Sequence, residues 1–439
     1  DVYKRQADAL RAAETRPRFA PSENGMKSTY SILAFLLSWL ATVFAQADPP
    51  IRPGDRIAIV GNTFADQLRV HGYLETLLLQ HSQQDPVSIR NLGWAGDMVT
   101  ARDRPTNFPT EESTLRAHKT DVIIACFGMG ESFGGEQALE EFKRRLESLI
   151  DSHAGKTYNG KSAVRMVLVS PIAYEDLGEL TPNRQQRNRD LEAYTVAMRE
   201  VASAAEVPFV DLLAPSRYLM DETAGPNLTT NGIHLTRYGY WALSRTFFEQ
   251  LTSVNHATKN QPWQLIIDAR AKTGDARGAK ISKLAGDESG LSFQVTATST
   301  PSLPPPTSEP LPPQLEFVRD RLVVENLKSG YYQLTIDGEP VATADEKAWG
   351  EGVAIDSSPA HRAAEAYRDA VNDKNLQFTY SWKALNQVHI VGERRSSPSG
   401  KALPQEVIRF NDLANERDQA LRNPLELKTQ SWRITPVGP

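Results

Sequence analysis

"DVIIACFG", residues 121–128, sets six consecutive apolar residues between an aspartate and a glycine. A run so short and so rich in β-branched residues reads as a strand covered on both faces, the kind found in parallel sheets. Similar runs lie to either side: "RIAIVG" (56–61), "VSIRN" (87–91), "VRMVLVS" (164–170) and "PFVDL" (208–212). Longer amphipathic stretches separate them. "ADQLRVHGYLETLLLQHS" (65–82) puts Leu68, Leu74, Leu77 and Leu78 near one stripe, and "EQALEEFKRRLESLI" (136–150) gathers Leu139, Phe142, Leu146 and Leu149. Further helical patterns cover 183–205 and 238–251. Strands alternating with helices build β-α-β units, which predicts a three-layer α/β/α sandwich around a five-stranded parallel sheet, spanning 48–255.

Beyond residue 256 the pattern changes. "PWQLIIDARA" (262–271) and "LSFQVTATST" (291–300) read as strands, followed by the proline-rich "PSLPPPTSEPLPP" (301–313), so 256–315 reads as a strand pair and linker. In 316–439 "RLVVENL" and "YYQLTIDGEPVA" read as antiparallel strands, with Asp337-Gly338 as a hairpin turn. Helices are expected over 358–385, behind a Ser-Pro cap, and over 406–422. This is a C-terminal α+β accessory region without recognisable catalytic spacing.

At the other end, "MKSTYSILAFLLSWLATVFAQA" (26–47) has the charged start, apolar core and small-residue cleavage site of a signal peptide. Its apolar run falls short of the ~20 residues that a membrane span needs. Residues 1–25 read as upstream or assembly-derived sequence. Export to a bacterial periplasm or the extracellular space is therefore expected, with no stable membrane anchor after cleavage. A hydrophobic content of 40% with 23% charged residues and a net charge of −5 fits a soluble globular protein. There is no polybasic signature for nucleic acid. The single cysteine, Cys126, has no internal disulfide partner, and His71, His81 and His118 show no ligand spacing, so neither metal nor other cofactor is expected.

In open α/β sheets ligands bind beyond the carboxyl ends of the strands. Gly61-Asn62-Thr63, "NLGWAGD" (91–97), "FGMGES" (127–132) and the loop holding "NGIHL" (231–235) all fall there. In this order the blocks resemble the SGNH (GDSL-type) hydrolase superfamily, whose fold is flavodoxin-like. The resemblance implies a nucleophile after the first strand, oxyanion donors in the second and third blocks, and a closing Asp-x-x-His. Carried onto this chain, the nucleophile position holds Thr63, the oxyanion positions hold Gly96 and Gly130, and the closing acid and base positions hold Asn231 and His234. Gly96 and His234 keep the family's residues. A threonine is a nucleophile when a base stands beside it, but Gly130 has no side-chain amide to offer an oxyanion. An amide at position 231 does not hold a histidine's proton as a carboxylate does; in a serine protease that exchange costs ~10⁴ in turnover. Asp97 and Glu131 are the candidate replacement acids, and Asn62, like them, a candidate substrate contact.

A second motif overlaps the third block. Gly130-Glu131-Ser132-Phe133-Gly134 spells G-x-S-x-G after a strand, with Asp211 and His234 following in order, so Ser132 is an alternative nucleophile. Trp94 is positioned to stack on a sugar or to pack on the sheet, and Asn91 and Asn107 to meet a polar substrate. The expected function is an exported ester hydrolase, with a carbohydrate acetyl ester or similar small acylated compound as its partner. The alternative is a catalytically weak or inactive carbohydrate-binding protein in the same fold.

Overall fold

Each of the five apolar runs forms a strand: β1 (Arg56–Gly61), β2 (Ser88–Asn91), β3 (Val122–Cys126), β4 (Arg165–Val169) and β5 (Phe209–Val210). They pair in parallel in the order β2-β1-β3-β4-β5. The computed structural model describes residues 48–439 apart from 83, 105–107, 222–224, 254–261, 313–314, 316–318, 384–392 and 439; the expected signal peptide and Asn107 lie outside the described residues. Successive residues of β1 enter opposite layers, Ile57 and Ile59 one core, Ala58 and Val60 the other. Helices Thr63–His71, Tyr73–His81 and Arg237–Thr252 cover the first face, and Leu139–His153 and Arg184–Ala204 the second. This strand order puts the topological switch point between β1 and β3, so the crevice opens at their carboxyl ends.

The structure departs from the sequence reading in places. The helix expected over 65–82 is two helices, broken at Gly72, which has a φ of +68°. A Cβ there would stand 2.3 Å from Asn372 Oδ1, so a residue with a side chain would have to displace Asn372 as well as adopt a strained backbone angle. Helices Glu111–His118 and Leu213–Asp221 were not anticipated.

The C-terminal strands are β6 (Gln264–Asp268), β7 (Thr273–Arg277), β8 (Ala279–Asp287), β9 (Gly290–Ala297), β10 (Arg321–Glu325), β11 (Tyr331–Ile336), β12 (Glu339–Asp345), β13 (Val353–Ala354) and β14 (Thr429–Val437). They form one sheet in the order β13-β10-β6-β7 and another in the order β12-β11-β14-β9-β8. Trp263, Leu265 and Leu322 of the first sheet share a core with Phe293, Leu334 and Trp432 of the second. β10 does not pair with β11 as its sequence neighbourhood implies; it runs parallel to β6. The Asp337-Gly338 hairpin is as expected, with both residues at positive φ, +52° and +86°.

The helices Pro359–Trp382 and Pro398–Ala420 start at Ser358 and Ser397, whose side chains cap them. They join the α/β cores rather than the core between the two C-terminal sheets: Val371 and Leu421 enter one, Phe378, Trp382 and Ala414 the other. The fully buried Lys374 reaches β2, donating to Ile89 O at 2.9 Å and to Glu75 Oε1 at 2.5 Å. The Pro359–Trp382 helix thus shields the edge strand of the parallel sheet.

Candidate functional site

Thr63 is the first residue of its helix, directly after Asn62, whose buried side-chain oxygen accepts from Phe64 N at 3.0 Å. That cap turns the chain from β1 into the helix and leaves Thr63 half-buried at the crevice. From the loop after β2, the Gly96 N–H donates to Thr63 Oγ1 at 3.3 Å, with Gly96 at a φ of +85°. Both residues line a cavity of about 370 Å³ together with Asn62, Gly130 and His234. Four segments far apart in sequence therefore meet at one site, as the strand order requires.

His234 hangs on a loop held from behind. The buried Glu175 carboxylate accepts from Leu228 N (2.8 Å), Thr229 N (2.6 Å) and Thr229 Oγ1 (2.5 Å). Thr229 Oγ1 in turn accepts from Gly232 N at 2.9 Å. Glu175 sits beyond β4 with nothing in its surroundings to flag it, and the sequence reading missed it.

The Asn231 amide has one orientation. Its Oδ1 accepts from the backbone N–H of Ile233 (3.2 Å) and of His234 (3.0 Å), so its Nδ2 faces His234 Nδ1, at 3.1 Å. Nδ2 can only donate; Nδ1 must accept. In the neutral imidazole the proton then belongs on Nε2. A carboxylate in the same place would accept from Nδ1–H and leave Nε2 bare to take a proton. Among the described residues no hydrogen bond joins His234 to Thr63 Oγ1.

Neither candidate replacement acid reaches the histidine. Asp97 lines the cavity, but Arg104 holds both its oxygens, at 2.9 and 2.6 Å, and burial nonetheless lifts its carboxyl above the usual range. Glu131 accepts from Val99 N (2.8 Å) and Gly128 N (2.9 Å), stapling the second block to the third; burial raises its carboxyl too. Gly130 lies on the cavity wall, where a Cβ would stand 3.2 Å from the Met98 terminal methyl. A larger residue at position 130 would need the Met98 side chain to give way by a few tenths of an ångström.

The alternative nucleophile is not brought to the cavity. Ser132 is fully buried in the 3-10 turn Glu131–Gly134; its hydroxyl donates to Met129 O (2.8 Å) and accepts from Arg187 Nη2 (2.8 Å). Asp211 pairs with Arg199 at 2.5 Å. Trp94 packs edge-on against Phe108 and Trp382, with the Arg104 guanidinium 4.4 Å and the Lys383 ammonium 4.8 Å from its ring centre. Asn91 is buried, donating to Ala65 O and accepting from Gly93 N. Cys126 is a buried small hydrophobe at the cavity floor whose thiol burial pushes far up. Among the described residues no group of three or more His, Cys, Asp and Glu could hold a metal ion, and no helix is long and apolar enough to cross a membrane.

Residues 54–242, which carry the cavity, match the GDSL-like lipase/acylhydrolase family, in keeping with the resemblance of the four sequence blocks. No curated protein sequence matches the chain. Among solved structures it is similar to a gut microbial diltiazem-metabolizing enzyme, at 17% identity and a TM-score of 0.64, covering 89% of this chain and 99% of that one. A catalytic mutant of Axe2, an acetylxylan esterase from Geobacillus stearothermophilus, is 19% identical, covering 46% of this chain and 96% of that one, at a TM-score of 0.36. At 17% identity the first likeness is one of fold. It extends past residues 54–242 into the C-terminal elements.

Proposed function

We propose that the cavity hydrolyses small acyl esters, with Thr63 as nucleophile, His234 as base, and the backbone N–H groups of Thr63 and Gly96 as oxyanion donors. The observation that carries this reading is the 3.3 Å hydrogen bond from Gly96 N–H to Thr63 Oγ1, inside a cavity that His234 also lines. Thr63 Oγ attacks the acyl carbon and its proton passes to His234 Nε2. The carbonyl electrons move onto oxygen, and the N–H groups donate hydrogen bonds to the resulting oxyanion. Collapse expels the alcohol, which takes the proton from Nε2. Water, deprotonated by the same nitrogen, then releases the acid and frees Thr63.

The first proton transfer needs Nε2 bare, whereas Asn231 favours the opposite tautomer. Catalysis through the minor form, with no carboxylate to stabilise the imidazolium, is slowed by ~10⁴, or roughly 5 kcal/mol of barrier. The missing donor at Gly130 removes a further ~10² or more. We therefore read this copy as a slow hydrolase. Residues 26–47 would direct its export. A carbohydrate acetyl ester fits the export but not the walls: Trp94 is taken up in packing, and much of the lining is apolar.

The test is hydrolysis of p-nitrophenyl acetate by the purified protein beside Thr63→Ala and Ser132→Ala. The reading expects a low rate that falls to the buffer blank with Thr63→Ala and persists with Ser132→Ala. A rate equal to the blank in all three, or one that survives loss of Thr63, ends it.

A further inference from the structure

The polar side-chain atoms around the cavity are sorted by sign. Each acceptor already takes at least one hydrogen bond: Asn62 Oδ1 from Phe64 N, both Asp97 oxygens from Arg104, and Ser170 Oγ from the N–H groups of Leu212 and Leu213. Thr63 Oγ1 accepts from Gly96 N–H. Those left with no partner among the described residues all donate. They are the Thr63 hydroxyl proton, Asn62 Nδ2, and His234 Nε2–H, which is a donor because Asn231 faces Nδ1. Phe127, Met129, Ile172 and Phe133 supply apolar walls, and the Phe133 ring is 60% exposed at the rim.

From this we infer that the cavity is a receptor for an apolar monocarboxylate. Its two carboxylate oxygens take the protons of Thr63, Asn62 and His234 Nε2, and its hydrocarbon lies along Phe127, Met129 and Ile172. A carboxylate offers acceptors only, which is what three unpartnered donors complement, and hydrogen bonds to a charged acceptor are about twice as strong as neutral ones. A neutral sugar hydroxyl gains no such charge-assisted bond from these donors. A phosphate would ask for more positive charge than the cavity has, since Arg104 is committed to Asp97. The cavity volume suits a ligand of the size of octanoate or phenylacetate. The inference rests on the same cavity as the hydrolytic reading but not on turnover.

Calorimetric titration of the full-length protein with octanoate, octanol and glucose tests it. Octanoate is expected to bind at least tenfold tighter than octanol, with glucose giving no binding heat. In Asn231→Asp the new carboxylate draws the ring proton to Nδ1, turns Nε2 into an acceptor and adds a negative charge. Octanoate affinity should then fall at least tenfold while octanol affinity stays, the latter also reporting that the variant is folded. Equal affinities for octanoate and octanol, or an Asn231→Asp variant that keeps its octanoate affinity, overturn the inference. Failure of the hydrolytic reading is distinguishable: carboxylate binding without any p-nitrophenyl acetate turnover removes that reading and leaves this one, and turnover without carboxylate preference does the reverse.

Discussion

Two polar regions of this protein are built on opposite terms. Between the C-terminal helices and β2, charges are buried and answered in kind. Lys374 meets Glu75, whose other oxygen accepts from Asn375 Nδ2; Asp418 receives Ser88 and Arg90; and Arg90 also reaches Asn415 Oδ1. Around His234 the unpartnered groups are hydroxyl, amide and imidazole donors, directed toward a space that none of the described residues fills. Burying a charge without its partner is costly, so a closed network holds only while complete, and its work is to fix one element against another. Donors left open on a cavity wall do nothing for folding. They make sense as one half of a bond whose other half arrives with a ligand.

Substitutions break this contrast in different currencies. The largest effect is expected at the open region. Asn231→Asp restores an acceptor behind Nδ1 and should raise kcat/KM on p-nitrophenyl acetate by ~10²–10⁴, with little change in stability. Steady-state kinetics with a denaturation curve on the same sample checks both halves. At the closed region the signs reverse. Lys374→Met strands the Glu75 carboxylate and should cost ~3–5 kcal/mol of stability in urea unfolding. Ester hydrolysis per folded molecule should stay unchanged. Pairing it with Glu75→Gln should recover much of the loss.

Ser132→Ala comes next. It leaves Arg187 Nη2 and Met129 O each short of one partner, so a loss of ~1–3 kcal/mol is expected by the same unfolding assay, again without effect on hydrolysis. A pH effect is the smallest. Burial and the neighbouring Arg90 and Arg56 cations hold His118 down at about 3. The folded state therefore refuses a proton that the unfolded chain accepts below about 6.5. Stability from this source is complete above that pH and is lost as pH falls toward 3, by on the order of 1 kcal/mol per unit. Stability measured at pH 7, 6 and 5 should fall more steeply in the wild type than in His118→Asn.

Much of the α/β domain was legible because its strands are apolar on both faces and need no partner to be recognised. The expected runs bracket β1 to β5 closely. β7 and β8 were missed for the converse reason: "TGDAR" and "AKISKLAGD" are largely exposed and carry no clean alternation. β10 was read as a strand but given the wrong neighbour, since nothing local distinguishes pairing with β11 from pairing with β6 across more than fifty residues. The site divides likewise. The placement of Thr63, Gly96 and His234 was expected from the resemblance of their sequence blocks to a known family, and the three line one cavity. What surrounds them was not expected: Arg187 lies 55 positions from Ser132 and Glu175 lies 54 from Thr229, and only the fold makes them neighbours. The orientation of the Asn231 amide was also out of reach, because two backbone N–H groups decide it.

That orientation is the point on which both the slow hydrolysis and the carboxylate preference turn. Nitrogen NMR of ¹⁵N-histidine-labelled protein at a pH where the His234 ring is neutral, with the signal assigned by its loss in His234→Ala, reads the tautomer directly. The account predicts a proton on Nε2 and a bare Nδ1, exchanging places in Asn231→Asp. A proton on Nδ1 in the unsubstituted protein would contradict it.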